Sequence, residues 1–246
     1  MKGIAVLILS ATAISAFAAD RKAFDVASIR PAQTGRESIA AEPGTVTMRN
    51  TRLSACIRWA YGVHEYQLSG PGWIDEARFD IVAKAAEPAP EADLRLMMQT
   101  LLAERFNLAF HREKKELPAL VMTVAKNGHK LTPTDIEGKP SFQTGKMNLT
   151  GRGATLSQLT DFLSGQIHQP IVDQTGLTGR FNYFLDINAY VNEEMLKAAG
   201  PNGPPQEASA IVAQAVQSQL GLHIESKKMP VEMFVVDAME KTPTEN

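Results

Sequence analysis

The sequence predicts an α/β protein of the α+β kind, built as two tandem β-α-β-β-α-β-β modules packed together. Three observations predict it. Apolar residues recur at a two-residue period in short segments and at three- and four-residue steps in others, so strands and helices alternate. The same order of elements runs twice along the chain. Residue identities also answer one another between the halves: Leu53-Ser54 and Leu156-Ser157, then Arg78-Phe79-Asp80 and Arg180-Phe181-Asn182. The strongest pairing sets Phe106, Leu108, Phe110, Lys114-Lys115 and Pro118 against Leu220, Leu222, Ile224, Lys227-Lys228 and Pro230. A repeat of this length means duplicated domains and not a solenoid.

Taken in order, Met1-Lys2 begins the chain with a basic residue, and the uncharged run Ile4 to Phe17 meets Ala16-Phe17-Ala18, a small-x-small site. That pattern is a secretory signal peptide, residues 1–18, and the run is shorter than the roughly 20 residues a membrane span needs. The expected product is periplasmic or secreted, with no stable membrane span after cleavage. Residues 19–44 hold a strand at Phe24 to Ile29 and a polar loop.

The first module, 45–126, reads as a strand at Thr45 to Met48 and a helix from Leu53 to Gly62. Strands follow at Tyr66 to Ser69 and Arg78 to Ala83, split by Gly70-Pro71-Gly72. A helix carries Leu94, Met97, Met98, Leu101, Leu102 and Phe106, with Pro90, Glu91 and Asp93 at its start, where free N–H groups and the dipole favour them. Two strands, Asn107 to Arg112 and Ala119 to Ala125, close the module. Residues 127–145 read as a linker. The second module, 146–241, repeats the series: strand Lys146 to Leu149, helix Leu156 to Leu163, strands Pro170 to Asp173 and Arg180 to Ile187, helix Ala208 to Leu220, strands Leu222 to Ser226 and Val231 to Asp237. A Gly/Pro loop at 189–207 interrupts it and 242–246 form a tail. Gly151-Arg152-Gly153 reads as a loop before a helix.

Composition narrows the function. A formal net charge of −2 leaves no basic footprint for nucleic acid. The only cysteine, Cys56, cannot form an internal disulfide and reads as a buried small hydrophobe. No Gly-x-Ser-x-Gly elbow is present. The five histidines, His64, His111, His129, His168 and His223, are dispersed, and none has another histidine at metal-ligand spacing. No catalytic residue, metal site or cofactor is predicted.

The one dense constellation is Asp173-Gln174-Thr175-Gly176-Leu177-Thr178-Gly179-Arg180. Asp173, Thr175 and Arg180 are candidate binding residues if this is a recognition loop. The competing reading, which the sequence favours, is a turn whose glycines take positive φ while Asp173 caps backbone N–H groups. Trp59, Tyr61 and Trp73 are further binding candidates, with core and turn packing as the alternative. A hydrolase acting on an envelope or soil polymer would instead need acids such as Asp161, Asp173 or Asp186 to meet in a cleft.

Phe24 to Pro31, Arg58 to Gly62, Ser69 to Trp73, Leu101 to Phe106 and Val172 to Phe181 together resemble the signatures of an uncharacterised secreted family, a domain of unknown function known chiefly from soil acidobacteria. A related domain is fused to membrane metallopeptidases of the antibiotic-sensing type, which implies a sensory or partner-binding role. The zinc helix of those peptidases is missing here: His64-Glu65 is followed by Leu68 where the second histidine would stand. Each half also resembles, in element order alone, the short N-terminal module of secretins and TonB-dependent signalling receptors, which implies protein-protein contact. The expectation is therefore an exported, non-catalytic binding or sensory module contacting a protein or envelope ligand.

Overall fold

The structure, a computed structural model, describes residues 21–135, 140–145, 147–191 and 205–244. The leader at 1–18 and most of the 189–207 loop lie outside the described residues. Among the described residues the fold is mixed α/β, with four helices and three four-stranded sheets.

The first sheet is antiparallel, in the order β1 (Val26–Pro31), β5 (Arg78–Lys84), β3 (Thr45–Arg52) and β2 (Ser38–Glu42). Val46 and Met48 of β3 and Phe79, Ile81 and Ala83 of β5 point to one face and are buried, as a period of two requires. Helices α1 (Leu53–Tyr61) and α2 (Glu91–Phe106) pack on that core through Leu53, Cys56 and Ile57, and through Leu94, Met98, Leu102 and Phe106. Phe106 meets Phe79 edge-on at 5.1 Å. Asn107 ends α2 in the left-handed conformation, φ 49°, which asparagine tolerates better than most side chains.

A second antiparallel sheet runs β7 (Thr132–Pro133), β11 (Phe181–Asp186), β9 (Asn148–Ala154) and β8 (Ser141–Thr144). Helices α3 (Leu156–Ile167) and α4 (Pro205–Leu220) cover it through Leu159, Leu163, Val212 and Val216. Gly151 and Gly153 are strand residues of β9, not a loop. A Cβ on Gly151 would stand 2.5 Å from the Tyr183 ring, so only glycine lets the ring lie across the strand. The linker supplies β7 and β8, and α4 begins at Pro205, inside the expected loop, because proline suits a first helical position.

The third sheet joins the two cores, in the order β10 (Ile171–Asp173), β6 (Ala109–Val124), β12 (Leu222–Ala238) and β4 (Leu68–Ser69). Here the expected strand pairs are corrected. Asn107 to Arg112 and Ala119 to Ala125 form one strand, β6, and the last two strands form one strand, β12, paired antiparallel along their length. Each half therefore reads β-α-β-β-α-β. Tyr66 also leaves the expected strand for a short 3₁₀ turn, Glu65–Gln67.

The long pair exchanges material between the cores. Leu120 and Met122 of β6 are buried in the core of the second half, and Phe234 and Val236 of β12 in that of the first. Neither 45–126 nor 146–241 holds all of its own core. Between those ends, from Arg112 to Pro118 and from Ser226 to Pro230, each strand has one neighbour only, because β10 pairs with residues 120–122 and β4 with 234–235. Lys114, Lys115, Lys227 and Lys228 and both prolines lie on these open edges, where they discourage pairing with another chain.

Candidate functional site

The Asp173-to-Arg180 segment is a tight turn. Asp173 Oδ1 accepts the Thr175 N–H at 2.9 Å, and Thr175 Oγ1 accepts the Leu177 N–H at 3.1 Å. Gly176 and Gly179 take φ of 70° and 101°, and Leu177 packs on the second core. Asp173 and Thr175 thus serve the turn itself. Arg180 is exposed and its carbonyl accepts the Thr134 N–H at 3.0 Å.

Trp59, Tyr61 and Trp73 are half-buried against the first core, and they do not form one site. Arg95 lies over the Trp59 ring at 5.0 Å and donates to the Trp59 carbonyl at 2.6 Å, which fixes the ring between α1 and α2. Trp73 belongs to the Gly72–Asp75 turn. Tyr61 is different. Its ring meets Phe110 at 4.9 Å and Phe234 at 4.6 Å, while Phe110 and Phe234 stack at 4.2 Å. Burial raises the Tyr61 phenol pKa, opposed by the nearby Arg112. Tyr61 and Phe110, with Leu96, Gln99, Thr100, Ala103, Arg21 and Lys22, line an open groove of about 490 Å³. Phe110 is 36% exposed and Leu96 45%. Sequence reasoning found Tyr61 but named Phe110 only as a repeat residue of a strand; the pairing of Phe110 with Val236 shows that it sits at the ribbon's end.

A second cleft, of about 300 Å³, opens at the start of α1 between Arg52, Ser54 and Arg58 on one side and Ser69, Gly70, Ile74 and Asp75 on the other, with Leu68 and Glu65 beside them. Arg52 holds Glu37 through Nε at 3.2 Å, and Arg58 Nη1 reaches Glu65 at 3.2 Å. Ser54 and Arg58, four residues apart, share a helix face. Ser54 Oγ and Arg58 Nε are buried with no hydrogen-bond partner in the protein. Sequence reasoning noted Leu53-Ser54 and Arg58 only as repeat and signature residues.

The three acids named for the hydrolase alternative lie on three different elements. Asp161 is on α3, Asp173 ends β10 in the joining sheet, and Asp186 ends β11 in another. Asp186, like Asp173, accepts a nearby backbone N–H, that of Asn188 at 2.9 Å. An apolar cavity of about 210 Å³, lined by Leu149, Phe162, Ile167 and Val212 among others, has no unpartnered buried side-chain nitrogen or oxygen among the described residues that line it. Among the described residues no group of three His, Cys, Asp or Glu side chains could hold a metal ion. Likewise, no helix there is long and apolar enough to cross a membrane.

Residues 54–239 match a family model described as "Protein of unknown function (DUF3738)". No curated protein and no solved structure matches the chain.

Proposed function

We propose, from the premise that the chain belongs to the DUF3738 family, that it is an exported, non-catalytic binding or sensory module that takes a protein partner on its aromatic groove. The observation that carries this reading is the Tyr61–Phe110–Phe234 cluster, whose outer ring stays exposed beside Leu96. Aromatic anchors with a low entropy cost of ordering are the side chains that dominate protein contacts. The groove's rim carries Arg21, which has no ion-pair partner among the described residues, and Lys22, which pairs with Asp93. An apolar side chain flanked by an acid on the partner complements both features. Export rests on the basic start, the apolar run and the Ala-Phe-Ala site. The matching element orders of the two halves, with parallel pairings of β4 on β12 and β10 on β6, support descent from one duplicated unit.

The test places a photo-crosslinking residue at Leu96 and exposes the chain to envelope extract. A single cross-linked protein, lost when Phe110→Ser is added without change in melting, is the expected result. Equal capture by the Phe110→Ser chain would remove the groove from the reading.

A further inference from the structure

We propose that the cleft at the start of α1 is a binding site for a free α-amino acid, independent of the aromatic groove. Ser54 is only 3% exposed, yet its Oγ has no partner. A helical hydroxyl ordinarily bonds the carbonyl four residues back, as Thr160 does to Leu156 at 3.2 Å in α3. For Ser54 that carbonyl would be Asn50, which lies before the helix and already accepts from Arg78 at 2.8 Å. Ser54 and Arg58 both line the cleft, and the Ser54 hydroxyl and Arg58 Nε are buried at its wall with their donors unspent.

The end of the helix adds to this. Arg52, at the cap position, gives no side-chain acceptor to the first-turn N–H groups, and that turn holds no acidic residue. The Leu53 N–H donates to the Ala77 carbonyl at 2.9 Å and the Arg52 N–H meets the Glu37 carboxylate at 3.5 Å. The N–H groups of Ser54 and Ala55, with the positive end of the helix, are what remain for a carboxylate. Ser54 Oγ–H and Arg58 Nε–H supply two more donors to it. Across the cleft, Asp75 is exposed and has no ion-pair partner among the described residues, which suits an ammonium group. Leu68 and Ile74 give a short apolar wall for a small side chain. Carboxylate-accepting and ammonium-accepting ends in one cleft of about 300 Å³ select a zwitterion of amino-acid size.

Isothermal titration of the purified chain with each of the common L-amino acids and with D-alanine, each up to about 10 mM, tests the site, with acetate and methylamine as probes carrying one charge each. At least one amino acid should bind saturably, and acetate at least about tenfold more weakly. Ser54→Ala and Arg58→Gln should each weaken that binding by about tenfold or more. Without ligand, Ser54→Ala should melt no lower than the parent, since the hydroxyl has no partner to lose. The proposal is overturned by the absence of saturable binding, by acetate binding as tightly as the amino acid, or by a lowered melting temperature for unliganded Ser54→Ala. Full binding retained in both variants overturns it equally. Phe110→Ser should leave amino-acid binding unchanged, so failure of the aromatic groove and failure of this cleft are separate results.

Discussion

Helices α1 and α3 open on the same pair, Leu53-Ser54 and Leu156-Ser157, but their ends are finished differently. In α3, Thr155 Oγ1 accepts the Gln158 N–H at 3.3 Å, and Gln158 Oε1 accepts the Thr155 N–H at 2.9 Å. This reciprocal cap seals the helix start, and Ser157 stands exposed. In α1 the cap position holds Arg52, whose side chain makes no cap bond and whose N–H meets the Glu37 carboxylate at 3.5 Å, and Ser54 is buried beside a polar cleft. One half has spent its helix terminus on stability. The other leaves the Ser54 and Ala55 N–H groups without a side-chain cap.

The comparison depends on the two halves sharing one joined fold, and the largest prediction attacks that. Residues 21–126 and 146–246, produced separately, should each lack a cooperative melt, because the first core needs Phe234 and the second needs Met122. Recovery of a melting transition on mixing would be read by circular dichroism, and two independently folded halves would end the description of exchanged strands. Next, Phe234→Ala should cost about 3–5 kcal/mol and Met122→Ala about 2–5 kcal/mol by urea unfolding. Each should lower one common transition and not just the half that carries the residue in sequence.

A third prediction concerns Cys56, which holds in α1 the place that Leu159 holds in α3. Burial pushes its thiol pKa from 9.0 up to about 12. The folded state thus keeps the proton that the unfolded chain releases, so this contribution is complete below pH 9 and is lost as pH rises toward 12. The loss is on the order of 4 kcal/mol. Stability measured at pH 8 and pH 11 should fall more for the parent than for Cys56→Ala, and an equal fall would show that the thiol plays no part.

Smaller effects separate the two helix starts. Thr155→Ala should destabilise by about 1 kcal/mol. Arg52→Ser gains a cap but gives up the half-exposed pair with Glu37, so its melting should stay within about 0.5 kcal/mol of the parent. Thermal melts of both chains decide this. A loss at Arg52→Ser as large as at Thr155→Ala would mean that α1 is already sealed.

The helices were legible because their apolar spacing is strong: α1 and α2 begin and end within a few residues of the positions expected. The strands at Thr45 and Arg78 were legible for the same reason, at a period of two. The breaks read at Pro118 and Pro230 were wrong because a proline ordinarily demotes a strand, and nothing local shows that each falls where its strand has one open side. Strand β2, Ser-Ile-Ala-Ala-Glu, was missed because only Ile39 among its residues is even half-buried. Of the sites, Tyr61 was visible as an aromatic, and the Asp173 turn through its glycines. The α1 cleft was not, since Ser54, Ser69 and Asp75 meet only through the Gly70-Pro71-Gly72 bend.

The exchange of strand ends also sets an order of events during synthesis. The first core contains α2, complete at Phe106, but also Phe234 and Val236, with Met239 packed against it. Those residues leave the ribosome long after α2 has emerged, and the pairing of β6 with β12 spans about a hundred residues, a separation that slows folding. Through that interval Tyr61 lacks Phe234, one of the two rings it meets. The growing chain therefore lacks a finished first core until nearly its last strand is made.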